Sequence, residues 1–192
     1  GIDLAAQLLS PDHSFLDVRE VGRDALRTRG ELCRAIADLV AARFGPRPKA
    51  ERTWHRERNR IQDWIRQVED AAAATVLDAI LAFVAAIRAC NLFCDQRLGQ
   101  SFELDPALLG DEHFPHRPYG VFYFHGPNGM GFQVRFRPSA RGGLRLLLPR
   151  TAEQLARVRN QLLREVYDLA WAQQLKNKDI PEGGAKAVLL LG

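Results

Sequence analysis

Four lysines, at positions 49, 176, 178 and 186, stand against 23 arginines (27 basic residues less four), and three of the four fall within residues 176–186. Arginine stays protonated in proteins, whereas a lysine held away from water can lower its pKa and exchange a proton. Lysines gathered in an arginine-dominated chain therefore mark a place where the ammonium itself matters. Here the spacing predicts a helix ending near Lys176, then a tight turn at Gly183-Gly184 that projects Lys186. Earlier, Arg141-Gly142-Gly143-Leu144-Arg145 pairs two adjacent glycines with flanking guanidiniums. Such glycines let backbone approach a ligand closely, and arginine can grip a carboxylate in bidentate fashion. A glycine turn with surface arginines is the plainer reading of the same residues.

Other motifs carry less. The G-x-x-x-x-G-K-[ST] spacing of a phosphate loop is absent, and Gly126-x-x-Gly129-x-Gly131 has the wrong order and setting for a dinucleotide fingerprint. His113 and His116 lie beside Asp111 and Glu112, with Pro115 between them, which suits a solvated connector better than a metal site. Cys90 and Cys94, four apart, are expected on one face of a buried helix as small core residues. The charged run 51–58 reads as an exposed helix face, and only distantly as an RNA surface.

The elements that must position these motifs fall into two kinds. Residues 15–44 form an amphipathic stretch after a capping candidate at Ser10-Pro11-Asp12, and Gly45-Pro46-Arg47-Pro48 breaks it. Residues 50–93 again follow a helical pattern, broken near Glu69-Asp70, with Trp54 and Trp64 expected to anchor one face. Residues 71–87 are the most apolar, but Asp78 interrupts them and Arg88 follows, so a buried helix is expected rather than a membrane span. From residue 91 the period changes. Residues 101–104 suggest a short strand, and 119–125 with 131–137 suggest a hairpin about Gly126-Pro127-Asn128-Gly129. Thr151-Ala152-Glu153-Gln154 has the form of a capping box, and Leu155, Val158, Leu162, Val166 and Leu169 step at threes and fours to about residue 175. Residues 187–191 read as a buried strand.

Composition sets the frame. With 192 residues, 46% hydrophobic and 26% charged, the chain is an ordinary globular protein rather than a disordered or fibrous one. Three cysteines do not make a disulfide framework, so a reducing, cytoplasmic setting is expected. The acids and bases of residues 1–96 balance, 14 against 14, while residues 97–192 carry 13 basic and 9 acidic side chains. Nine arginines against one acid between positions 117 and 164 make either a solvated basic face or a cleft that concentrates a small anion. The single methionine is Met130 and the chain stops inside an apolar run, so it is expected to be an excerpt of a longer polypeptide.

Residues 136–145 and 173–186, with their Arg141-Gly142-Gly143 and Gly183-Gly184-Ala185-Lys186 motifs, resemble the glutamate dehydrogenase family, in particular its large NAD-specific class. The resemblance runs over about residues 90–192 and is weak over the helical first half. It implies an α/β (α+β) chain in two parts. Residues 1–95 would be a helical segment, and 96–192 a mixed-sheet substrate domain of dimerisation type, incomplete at its C-terminus and cut before a Rossmann domain. By the same resemblance Lys186 is the catalytic lysine, and Lys176 or Lys178 binds substrate carboxylate. Arg141, with Gly142 and Gly143, holds the side-chain carboxylate of glutamate where small members of the family carry lysine. The implied activity is NAD-dependent oxidative deamination of L-glutamate to 2-oxoglutarate and ammonia. NAD would be bound mainly by a downstream domain, no metal is implied, and the fragment would be inactive alone.

The chemistry of the substrate points the same way. A dicarboxylate needs at least two fixed cations, and a lysine desolvated among like charges can serve as a base. The implied partners are a small dicarboxylate and further copies of the chain, with neither nucleic acid nor membrane. Two rivals remain: a non-catalytic anion-binding regulatory or scaffold module derived from the same family, and a basic RNA-binding protein. Strongly salt-dependent RNA affinity would mark the latter.

Overall fold

The computed structural model describes residues 2–9, 15–176 and 181–191; the capping candidate at residues 10–12 lies outside them. It separates into two compact units that divide between Ala85 and Ala86.

The first unit is helical: α1 (Ile2–Leu9), α2 (Phe15–Thr28), α3 (Gly30–Phe44), α4 (Glu51–Arg66) and nearly all of α5 (Ala71–Ala86). The amphipathic stretch is thus two helices, broken at Arg29, and the break before α5 falls where Asp70 caps it. Asp70 Oδ1 accepts from the Ala72 and Ala73 amides at 3.0 and 3.1 Å. Leu32, Ile36 and Leu39 of α3 and Trp54, Ile61 and Ile65 of α4 are buried. The Trp54 indole donates to the Leu39 carbonyl at 3.0 Å. Trp64 does not share that face and is 38% exposed. Ten residues at 3.6 per turn leave the two tryptophans about 80° apart.

The second unit begins where α5 ends. The expected continuation of helix to residue 93 does not occur: β1 (Ile87–Cys90) pairs antiparallel with β2 (Gln100–Leu104), Ile87 opposite Leu104. The division therefore lies ten residues ahead of the 95/96 boundary suggested by sequence. Cys90 sits on this strand and Cys94 in the loop beyond it, so the two do not share a helix face. Asp105 then fixes the corner. Its Oδ1 accepts from the Ala107 amide at 2.9 Å and Arg88 lies 3.1 Å from Oδ2. The backbone bond first, then Arg88, hold its carboxyl below the usual range.

The hairpin forms as its turn predicts, β3 (Gly120–Gly126) against β4 (Gly129–Arg135). Beyond it come β5 (Ala140–Arg141), β6 (Leu144–Leu147), α6 (Ala152–Lys176) and β7 (Gly183–Leu191). The sheet runs β1-β2-β3-β4-β7-β5, with β6 also on β7. β7 is antiparallel to β4 and parallel to β5 and β6, which makes the sheet mixed. At the start of α6 the Gln154 amide donates to Thr151 Oγ1 at 3.2 Å, and Gln154 Oε1 accepts in turn from the Arg150 amide at 2.9 Å. That is a capping box reaching one residue further back.

Alternation decides the faces. Phe102, Tyr123, Phe132 and Val188 stand in one row of register, all 6% exposed or less, as do Leu104, Val121 and Val134. α6 lies against β4 and β7 and buries Leu162, Leu163, Val166, Tyr167 and Ala170. Tyr167 pins the loop before β3: its hydroxyl accepts from the His116 amide at 2.7 Å and donates to the His116 carbonyl at 2.9 Å. The His116 ring stacks on Trp171, centroids 3.8 Å apart.

Candidate functional site

The two glycine motifs meet on β7. Ala140 and Arg141 lie beside Gly183 and Gly184 in parallel register, and Leu144 lies beside Ala187. Between those pairings Gly142 and Gly143 run past Ala185 and Lys186, and the Ala187 amide donates to the Gly143 carbonyl at 3.1 Å. A pair of motifs far apart in sequence is therefore adjacent strand against strand.

Gly183-Gly184-Ala185-Lys186 is not the tight turn expected from sequence; all four residues are strand, in the first half of β7. None of the described glycines has a φ in the left-handed region, so what these positions need is space. A Cβ at Gly184 would strike the Gln174 amide nitrogen and come within 2.5 Å of Gln174 Cα and 2.6 Å of the Ala170 carbonyl. One at Gly183 would lie 2.5 Å from Arg137 Cβ, and one at Gly142 would strike the Ala185 carbonyl. These glycines let α6, β5 and β7 come together backbone to backbone.

Gly143 is different. The atom a Cβ would meet there is Lys186 Nζ, at 3.3 Å. The Lys186 ammonium thus sits over the bare backbone of the other motif, on a half-buried residue whose register partner in β4, Val134, is fully buried. Arg141 is exposed on β5, and Lys176 is exposed as the last residue of α6. Lys178 lies outside the described residues. Among the described residues Arg141, Lys176 and Lys186 have no acidic partner, whereas Arg145 pairs with Glu165 of α6 at 2.7 Å. The two arginines that flank the first glycine pair are therefore unlike: one is engaged with the helix, the other is available to an anion.

Two neighbours lie in the resembling segments, but the sequence assigns them no role. Arg137 packs its stem on Gly183 and donates to the Pro181 carbonyl at 3.4 Å. Gln174, two residues before Lys176, accepts the Gly184 amide at 2.7 Å on Oε1. A glutamine near an exposed helix end gives no sequence signal for such a bond. Elsewhere an apolar hollow of about 400 Å³ lies between Leu98, Phe124, His125, Leu189 and Leu191, and none of the candidate cations lines it. Among the described residues no three His, Cys, Asp or Glu side chains are grouped to hold a metal, and no helix is long and apolar enough to cross a membrane.

No family model matches the chain. Individual proteins do. It is 39% identical to the NAD-specific glutamate dehydrogenase of Saccharomyces cerevisiae over 123 residues, which are 64% of this chain and 11% of that protein. Against glutamate dehydrogenase 2 of Dictyostelium discoideum it is 36% identical over 126 residues, 66% of this chain and 12% of that one. The probable NAD-specific glutamate dehydrogenase of Schizosaccharomyces pombe gives 38% over 132 residues, 69% and 12%. The matched stretch is about a tenth of each curated relative's length. Over some two thirds of its own length, then, the chain is a relative of the NAD-specific glutamate dehydrogenases.

Proposed function

We propose that the chain is part of an enzyme that oxidises L-glutamate with NAD to 2-oxoglutarate and ammonia, and that its second unit supplies the substrate-binding cations. The observation that carries this is the meeting of Gly143 with Lys186: an ammonium held over bare backbone, on a strand bordered by exposed Arg141. The names of the similar proteins supply the substrate and the oxidant.

Glutamate presents two carboxylates, and each needs a fixed cation. Arg141, whose planar fork matches a carboxylate, holds the side-chain one. Lys176 at the helix end, or Lys178 beyond it, holds the other. Lys186, on β7, takes and returns the proton when water adds to the C=N bond that oxidation leaves at Cα.

The described residues do not fit a dinucleotide. Gly126, Gly129 and Gly131 belong to the hairpin, and Gly142, Gly183 and Gly184 are packed against the chain's own backbone, so none of these six opens a helix toward a pyrophosphate. Hydride acceptance by NAD belongs to another part of the whole protein.

Lys186→Ala in the whole enzyme is expected to lower kcat by about 10²–10⁴-fold, the range for loss of a positioned acid–base group. Unchanged turnover of glutamate and NAD by that variant would remove Lys186 from the chemistry.

A further inference from the structure

We infer that Gln174 is a positioning residue for Lys186, the hydrogen bond from the Gly184 amide to its side-chain oxygen tying the lysine-bearing strand to the helix end that carries Lys176. The inference rests on the proposed role of Lys186 and adds to it a residue outside both lysine and glycine motifs.

The need for this bond follows from the sheet. Paired register between β4 and β7 stops at Arg135 opposite Ala185. One residue further toward the start of β7, the Gly184 carbonyl still accepts from the Phe136 amide at 3.0 Å. Its amide, however, has passed the end of the β4 ladder and finds the Gln174 amide oxygen instead, at 2.7 Å. A part-buried backbone donor without a partner is costly, so this side chain closes the ladder that the strand leaves open. Alternation puts residues 184 and 186 on the same face of β7, the face where Gly184 touches the Gln174 backbone. Gln174 therefore holds the strand by two means, backbone contact and one directed bond, two residues before the ammonium that must be in place. Because it also lies two residues before Lys176, the same bond links the strand that carries one lysine to the helix end that carries the other.

The test uses the whole enzyme and three variants. Gln174→Met keeps length and volume and removes the acceptor. Gln174→Glu keeps an acceptor at the same reach. Lys186→Met is the control for the chemistry. Gln174→Met is expected to lower kcat about tenfold with KM for NAD unchanged, and Gln174→Glu to return kcat to within about threefold of wild type. Full kcat in Gln174→Met, or equal losses in Gln174→Met and Gln174→Glu, overturns the positioning role while Lys186→Met remains inactive. Full activity in Lys186→Met would instead overturn the functional reading on which this one rests. If Gln174→Met does not fold, Gln174→Asn, one methylene too short to reach Gly184, carries the same expectation and the same refutation.

Discussion

Gly184→Ala tests how the site is built. Its new Cβ would strike the Gln174 amide nitrogen and lie 2.5 Å from Gln174 Cα and 2.6 Å from the Ala170 carbonyl, and ordinary contact begins near 3.4 Å, so α6 must retreat by at least about 0.9 Å (3.4 less 2.5). Every atom in the way is helix backbone, so no rotamer change relieves the clash. The retreat also loosens Leu162, Val166 and Ala170 from the sheet they pack on. Overpacking of this kind costs about 1–3 kcal/mol, and a backbone opponent puts it at the upper end. For a unit of this size that is roughly 10 °C or more in Tm. The contrast is Gly143→Ala, where the atom to be moved is the tip of a flexible side chain, Lys186 Nζ at 3.3 Å. Its cost in stability stays within about 0.5 kcal/mol, but kcat of the whole enzyme falls about three- to tenfold as the ammonium is displaced. Thermal unfolding followed by near-ultraviolet circular dichroism reads the second unit through Phe114, Tyr167, Phe136 and Trp171, each ring in contact with the next. A Gly184→Ala protein melting within 2 °C of wild type, or a Gly143→Ala protein melting as low as Gly184→Ala, refutes the reasoning.

Two other perturbations separate neighbouring roles. Arg141→Met should raise KM for glutamate about tenfold or more in steady-state kinetics, whereas Arg145→Met, whose guanidinium is committed to Glu165, should leave KM within about twofold and cost under about 1 kcal/mol. Tyr167→Phe removes both hydrogen bonds to His116 and should cost about 1–3 kcal/mol in urea unfolding. Burial raises the Tyr167 hydroxyl above its ordinary value of about 10. Its contribution is therefore complete below the unfolded-state value and is lost as pH rises from there through the folded one; the phenylalanine variant should show a shallower alkaline decline.

What the sequence could reveal depended on whether a feature was local. α6 was legible because Leu162 and Val166 step with the helix period and Thr151 with Gln154 marks its start. The hairpin was legible because Gly126-Pro127-Asn128-Gly129 punctuates two alternating runs. β1 was not, because Ile87-Arg88-Ala89-Cys90 continues the composition of α5, and only pairing with β2, ten and more residues away, makes it a strand. The glycine pairs are legible in the sequence, but the tight turn expected at Gly183-Gly184 is strand. Adjacent glycines report freedom, and nothing local distinguishes freedom to turn from freedom to be approached. Gln174 was invisible for a related reason: its partner is a backbone amide that only the fold brings near.

The geometry also explains why a lysine can occupy position 186 at all. Residues 184 and 186 face the same way on β7, and at 184 the α6 backbone leaves no room for even a methyl group. One step along the strand the neighbouring chain is Gly143, which has no side chain, so the space closed at 184 is open at 186. The four-carbon stem of Lys186 runs through that opening and brings its ammonium to the Gly143 backbone. Glycines at 183, 184 and 142 thus bring the elements together, and the glycine at 143 leaves a gap that a long cation fills. A side chain at 143 larger than alanine must push the ammonium out of that gap while leaving the packing of α6 on β7 intact, so activity and stability should part company at 143 and fall together at 184.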